Sequence, residues 1–233
     1  QTAFIQFSSG STSEPKGVMI PDRVLSANID ACAAAAVLAA DDVMVSWLPL
    51  YHDMGLVGFL ALPMTRAVDL VLAAPQDFLA HPGNWMQWIS EWRGTATAGP
   101  NFSWVLATRA LRRASGLDLS SLTLALSGAE PVDPDAVDAF VAAAEPHGFD
   151  AGGVFPAFGM AELAIGGSFP PRGRGMVCDT VDRLVLERDR VDSLLGELSD
   201  PLEVAGGLRH LPAAHEQVRA VDPDVRGRPA DDR

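Results

Sequence analysis

The strongest constraint on this chain is an alternation that runs to about residue 170, in which short β-like apolar runs are separated by stretches with helical spacing. The strand-like runs fall at 2–7 (TAFIQF), 43–47 (VMVSW), 68–73 (VDLVLA), 95–99 (TATAG), 122–128 (LTLALSG) and 152–158 (GGVFPAF). Helical spacing lies between them, near 24–39, 54–62, 82–92, 101–115 and 134–146. Strands that alternate with helices need crossover connections, and crossovers cover both faces of a sheet. The expected fold is therefore α/β, with mostly parallel sheets flanked by helices. Pro100 precedes the helix expected at 101, while Asp133 is an N-cap candidate followed by Pro134 at the first helical position.

Charge removes several functions. The net charge of −13 is the wrong sign for a surface that gathers phosphates over a wide area, so no nucleic-acid partner is expected and any phosphate must be met locally. The apolar run 31–40 (ACAAAAVLAA) is about half the ~20 residues of a membrane span and reads as a buried helix. Cys32 and Cys178 have no CxxC spacing, which suggests a reducing, cytoplasmic setting and argues against a zinc site. The start at Gln1, directly before a strand-like run, suggests a piece of a longer polypeptide.

Residues 7–18, FSSGSTSEPKGV, hold five Ser or Thr and two Gly around Lys16, the only lysine of the chain. A turn of this kind after a strand offers backbone N–H groups, hydroxyls and one ammonium to an anion, which suits a polyphosphate. It is not a Walker A loop, because Pro15 precedes Lys16 and Gly17 follows it. Ser13 and Lys16 also spell S-x-x-K, but Pro15 disfavours the helical turn that pairing needs, and the partner motifs S-D-N and K-T-G are absent. A surface turn without function is the other reading of the loop taken alone.

Four further segments follow in order: WLPLYHDMGLVG (47–58), AGPNFSW (98–104), LALSGAEPV (124–132) and PAFGMAE (156–162). With the loop, they resemble the adenylate-forming superfamily of enzymes, which activate carboxylic acids with ATP. Among its branches, LPLYHDMGL, GPNF, SGAEPV and CDTVDR (178–183) are most similar to fatty acyl-AMP ligases. The resemblance implies that the chain is the central part of the large N-terminal domain, with residues 1–171 as the AMP-binding core and 172–233 as an incomplete, β-rich or irregular remainder.

The same resemblance implies roles for particular residues. Ser8, Ser9, Gly10, Ser11, Thr12 and Lys16 would cradle the β- and γ-phosphates, and the departure from the family is Ser13, where glycine is usual. Gly128, Ala129 and Glu130 would border adenine, although SGAEP also reads as an ordinary strand-to-loop turn. Phe158 would stack on adenine in place of the family's usual tyrosine, with Gly159, Met160 and Ala161 beside it. Glu162 would ligate Mg²⁺, whose hard charge prefers carboxylate and phosphate oxygens. His52 would line the site near the acyl carboxylate and the phosphates; taken alone it also reads as a structural histidine, with Asp53 as its hydrogen-bond partner or a helix N-cap. Trp47, Phe59, Phe102 and Trp104 would be core or walls of an acyl tunnel.

The implied reaction uses ATP and Mg²⁺ to turn a fatty acid into an acyl-adenylate with loss of pyrophosphate, for transfer to an acyl carrier protein. His52, Lys16 and Glu162 would be its catalytic residues. Family members also carry an S/T-G-D element, a hinge and a lysine-bearing C-terminal domain, and with none of these in the sequence, weak or no adenylating activity is expected of this chain alone. Competing readings are an acyl-CoA synthetase, a peptide-synthetase adenylation domain, and a non-catalytic remnant that binds nucleotide or acyl chain.

Overall fold

A computed structural model describes residues 1–8, 16–182 and 216–221. Five parallel strands form the central sheet: β3 (Val43–Ser46), β4 (Asp69–Leu72), β5 (Ala96–Gly99), β6 (Leu124–Ser127) and β7 (Val154–Pro156), in the order β4-β3-β5-β6-β7. All four residues of β5 are buried and β3 is nearly so, as expected of central strands covered on both faces. Pro156 is tolerated because it ends an edge strand.

Helices α1 (Asp22–Ala35), α2 (Leu62–Arg66), α3 (Pro75–Ala80), α4 (Gly83–Glu91), α5 (Asn101–Leu111) and α6 (Pro134–Ala144) connect the strands, with a π-helix at Met54–Ala61. Asp133 caps α6 by accepting from the N–H groups of Asp135 at 3.0 Å and Ala136 at 3.3 Å. The α4–α5 face of the sheet carries an aromatic stack in which Trp47 lies on Phe78, with Trp85, Phe102 and Trp104 around them. Thr97 partners the Trp85 indole there, donating to the Val45 carbonyl at 2.7 Å and accepting from Trp85 Nε1 at 2.8 Å, whereas Trp47 Nε1 is buried without a hydrogen bond.

Two expected strands turn out differently. The run at 2–7 is strand β1 (Thr2–Ser8), but it leaves the parallel sheet to pair antiparallel with β2 (Lys16–Pro21), so the Gly/Ser/Thr-rich loop joins the arms of a hairpin. The run at 152–158 divides: β7 stays in the central sheet, whereas β8 (Phe158–Gly159) pairs antiparallel with β9 (Gly166–Ser168). A third two-stranded pair, β10 (Val177–Asp182) with β11 (Glu216–Val221), is parallel.

At the N-terminal edge of the sheet, Arg172 binds Asp42 through both guanidinium arms at 3.0 and 3.2 Å and also donates to the carbonyls of Ala36 and Val37. This clasp ties the segment after β9 to the end of α1. Among the described residues no helix is long and apolar enough to cross a membrane.

Candidate active site

A cavity of about 370 Å³ lies on the face of the sheet covered by α1 and the π-helix, and it opens at the C-terminal ends of the strands. Three of the sequence motifs meet at this mouth. Gly128 and Ala129 follow β6; Phe158, Gly159, Met160, Ala161 and Glu162 come from the β8–β9 hairpin; and His52 with Asp53 stands at the start of the π-helix. The mouth of an open parallel sheet, outside the carboxyl ends of its strands, is the place where such folds bind ligands.

The turn after β6 is built for close approach. A Cβ on Gly128 would lie 2.9 Å from the Ala157 carbonyl oxygen, so the ends of β6 and β7 are packed backbone to backbone. Ala129 holds φ at +73°, a left-handed conformation that an alanine takes at a cost of about 1–2 kcal/mol. Glu130 is turned away. Its Oε1 accepts from the Asn101 N–H at 2.9 Å at the start of α5, and it does not line the cavity. Asn101 completes the seam by donating to the Pro131 carbonyl at 2.8 Å and accepting from the Asp133 N–H at 2.9 Å. GPNF and SGAEPV are thus one stitched unit.

His52 Nδ1 lies 2.8 Å from Asp53 Oδ1, and the same carboxylate oxygen accepts the Met54 N–H at 2.7 Å. Asp53 is therefore both the partner of His52 and the N-cap of the π-helix. Met54 N also lies 3.2 Å from Nδ1, but with the Nδ1 proton directed to Asp53, the shorter bond to the carboxylate is the one formed. The hydrogen bond to Asp53 raises the His52 pKa above its ordinary value; burial opposes this and the Asp53 charge adds to it. A protonated imidazole is thereby favoured at the cavity mouth.

The β1–β2 hairpin sits at the same opening. Gln6 and Phe7 line the cavity, the turn at Ala161–Leu163 packs on both strands of the hairpin, and Gln6 Nε2 donates to the Tyr51 carbonyl at 3.4 Å, next to His52. Ser8 and Lys16 are the last cross-strand pair, so the loop springs from the rim beside Phe7. Ser9, Gly10, Ser11 and Thr12 lie outside the described residues, as do the side chains of Ser8 and Lys16.

Glu162 is exposed at the rim, and Phe158, 51% exposed, lines the cavity beside it. Among the described residues no cluster of three or more His, Cys, Asp or Glu could cage a metal. One accessible carboxylate fits Mg²⁺ that is held mainly by phosphate oxygens.

The hairpin that presents these residues is anchored by a side chain without a sequence signature. Asn28 of α1 donates to the Gly166 carbonyl at 2.8 Å and accepts the Gly166 N–H at 3.0 Å. Deeper in the cavity the walls are apolar. Phe59 is among them, whereas Trp47 and Trp104 belong to the aromatic stack on the opposite face.

Comparison with known proteins agrees with this geometry. Residues 1–189 match the family described as AMP-binding enzyme. The chain is 36% identical over 192 residues to a medium-chain-fatty-acid–acyl-carrier-protein ligase of Moorena producens, covering 81% of this chain and 32% of that one. A ligase of the same description from Teredinibacter turnerae is 34% identical over 230 residues, covering 96% and 35%. The crystal structure of a fatty acyl-adenylate ligase from L. pneumophila, in complex with acyl adenylate and pyrophosphate, superposes with a TM-score of 0.69 at 32% identity, over 75% of this chain and 31% of that one. The chain thus spans about a third of the length of the relatives it matches. A family match over residues 1–189, together with a cleft in which the motifs at His52, Gly128 and Phe158 converge, establishes that the chain belongs to the AMP-binding enzyme family.

Proposed function

We propose that this chain carries the nucleotide- and acyl-binding face of a fatty acyl-AMP ligase, which converts a fatty acid and ATP into acyl-adenylate and pyrophosphate for delivery to an acyl carrier protein. The observation that carries this reading is that one cavity is lined at once by Gly128, Ala129, His52 and Phe158 to Glu162, with an apolar interior behind them.

In the reaction, a carboxylate oxygen of the acid attacks the α-phosphorus of ATP. The new P–O bond forms as the bond to the bridging oxygen breaks, and that electron pair leaves with pyrophosphate. Positioning and charge neutralisation supply most of the acceleration in such a transfer. Phe158 stacks on the adenine, and the bare backbone of Gly128 and Ala129 borders it. His52, whose pKa Asp53 raises, stands where carboxylate and α-phosphate meet and donates a hydrogen bond or positive charge to them. Ser8, Ser9, Gly10, Ser11, Thr12 and Lys16 hold the departing pyrophosphate. Glu162 would hold Mg²⁺, which neutralises charge on the phosphates.

The cavity chemistry favours a fatty acid over an amino acid. Among the described residues its carboxylates are Asp53, already engaged by His52, and Glu162 at the rim, so their interior walls offer no acid to hold an ammonium group. Transfer to a carrier protein is supported by the similarity to ligases of that description.

Calorimetric titration with a decanoyl sulfamoyl-adenosine, a stable mimic of an acyl-adenylate, tests the reading. Saturable binding competed by ATP is expected, and Phe158→Ala should weaken it by about 1–3 kcal/mol through lost stacking. Absence of saturable binding, or an unchanged affinity in the variant, would contradict it.

A further inference from the structure

The cavity has a definite depth, and the parallel register shows where it ends. Leu124 and Leu126 of β6, with Gly128 just after it, recur at every second position and all line the cavity, which places them on one face. Gly128 is at the mouth and Leu124 opens the strand, a run of four residues or about 13 Å. At the level of Leu124 the register puts Ala96 beside it and Met44 beside Ala96, and all three line the cavity. Ala36 and Leu38, after α1, close the same end.

We propose that the row Met44–Ala96–Leu124 is the floor of an acyl tunnel and that Ala96, the small residue between two large ones, sets how long a tail fits. This rests on the function proposed above. The floor is uncharged, so it receives a methyl terminus rather than a polar one. With C–C bonds near 1.5 Å and angles near 111°, an extended alkyl chain advances about 1.25 Å per carbon, so the track takes about ten carbons. A longer tail would meet the floor before its carboxylate reached His52. A shorter tail leaves the floor uncovered and forgoes roughly fourfold in affinity for each missing methylene.

The test is the affinity of the 233-residue chain for sulfamoyl-adenosine mimics bearing hexanoyl, decanoyl and dodecanoyl tails, measured for the wild type, Ala96→Leu and Leu124→Ala. The wild type should prefer decanoyl. Ala96→Leu, which raises the floor, should lower the decanoyl-to-hexanoyl affinity ratio by on the order of tenfold. Leu124→Ala, which deepens the floor by about two to three carbons of tail, should shift preference toward dodecanoyl. A uniform loss across tail lengths, an unchanged ratio, or no length optimum in the wild type would overturn the assignment of the floor while leaving the adenylate-binding reading in place. Failure of the wild type to bind any of the three would overturn that reading, and the floor with it. The opposite directions expected of the two variants separate a length gauge from general damage to the fold, which circular dichroism of each variant reads independently.

Discussion

Asn28 grips Gly166 by both backbone groups, donating to its carbonyl at 2.8 Å and accepting its N–H at 3.0 Å across 138 positions of sequence. Asn28 belongs to the helix that follows the β1–β2 hairpin, and Gly166 pairs with Gly159 in the hairpin that carries Phe158 and Glu162. The contact therefore registers the two halves of the proposed nucleotide site against each other. A Cβ on Gly166 would collide with Cys32 and Phe169, so the site is closely packed as well as hydrogen-bonded.

Asn28→Ala should destabilise the protein by about 1–3 kcal/mol, because two backbone groups lose their partner in a partly buried place. It should also weaken the decanoyl-adenylate mimic at temperatures where the fold is intact. N28D keeps the acceptor for the Gly166 N–H but sets an anion against the Gly166 carbonyl, and lowering the pH, which protonates it, should restore part of the affinity. Urea unfolding and calorimetry at two pH values check both outcomes.

The imidazole of His52 should titrate above the ordinary histidine value because of its hydrogen bond to Asp53. With the folded pKa raised, the stabilisation from this pair is complete below the unfolded value, near 6.5, and is lost as pH rises through the folded one. Asp53→Asn should bring the His52 titration back down. An NMR titration of the ring proton in both proteins reads this directly.

Burial pushes the Asp42 carboxyl upward, but the hydrogen bond from Arg172, the Ala39 N–H, Thr95 and the Arg172 charge outweigh it, and the pKa falls below the ordinary value. Its contribution is therefore present above the unfolded pKa and is lost as pH falls through the folded one. Arg172→Met leaves a buried carboxylate without its partner and should cost about 3–5 kcal/mol at neutral pH. The loss should shrink in acid, as unfolding curves at pH 7 and pH 4 would reveal.

Ala129 sits at φ +73° beside the proposed adenine site. Relief of about 1–2 kcal/mol of strain on Ala129→Gly is partly offset by roughly 0.4–1 kcal/mol of extra chain entropy in the unfolded state. A small net stabilisation is expected. Ala129→Val, which adds branching at the same φ, should destabilise by more than the glycine gains, and chemical denaturation of the two variants measures the difference.

Much of the central sheet could be read from the sequence because its determinants are local. The runs at 43–47, 68–73, 95–99 and 122–128 each contain a strand, and the Asp133–Pro134 signal marks the start of α6. What escaped depends on distant partners. The hairpin of β1 with β2 is set by pairing across the loop, and the run 152–158 splits because Phe158 and Gly159 find partners in 166–168 rather than in the sheet. The π-helix at Met54–Ala61 has the apolar content of any buried helix, so spacing does not distinguish it.

The site divides along the same line. The motifs at His52, Gly128 and Phe158 converge at one mouth. Glu130 is adjacent in sequence yet is taken by Asn101, a partner 29 positions away. Asn28 and Ala96 carry no local signature, since one acts through backbone far along the chain and the other through the absence of bulk.

A crystal structure of the chain with the decanoyl-adenylate mimic tests the central claim most directly. The account predicts adenine between Phe158 and the Gly128–Ala129 backbone, the acyl carbonyl near His52, and the tail running along Leu126 to end at Ala96. A ligand bound elsewhere, or a tail that leaves the β6 face for solvent, would contradict it.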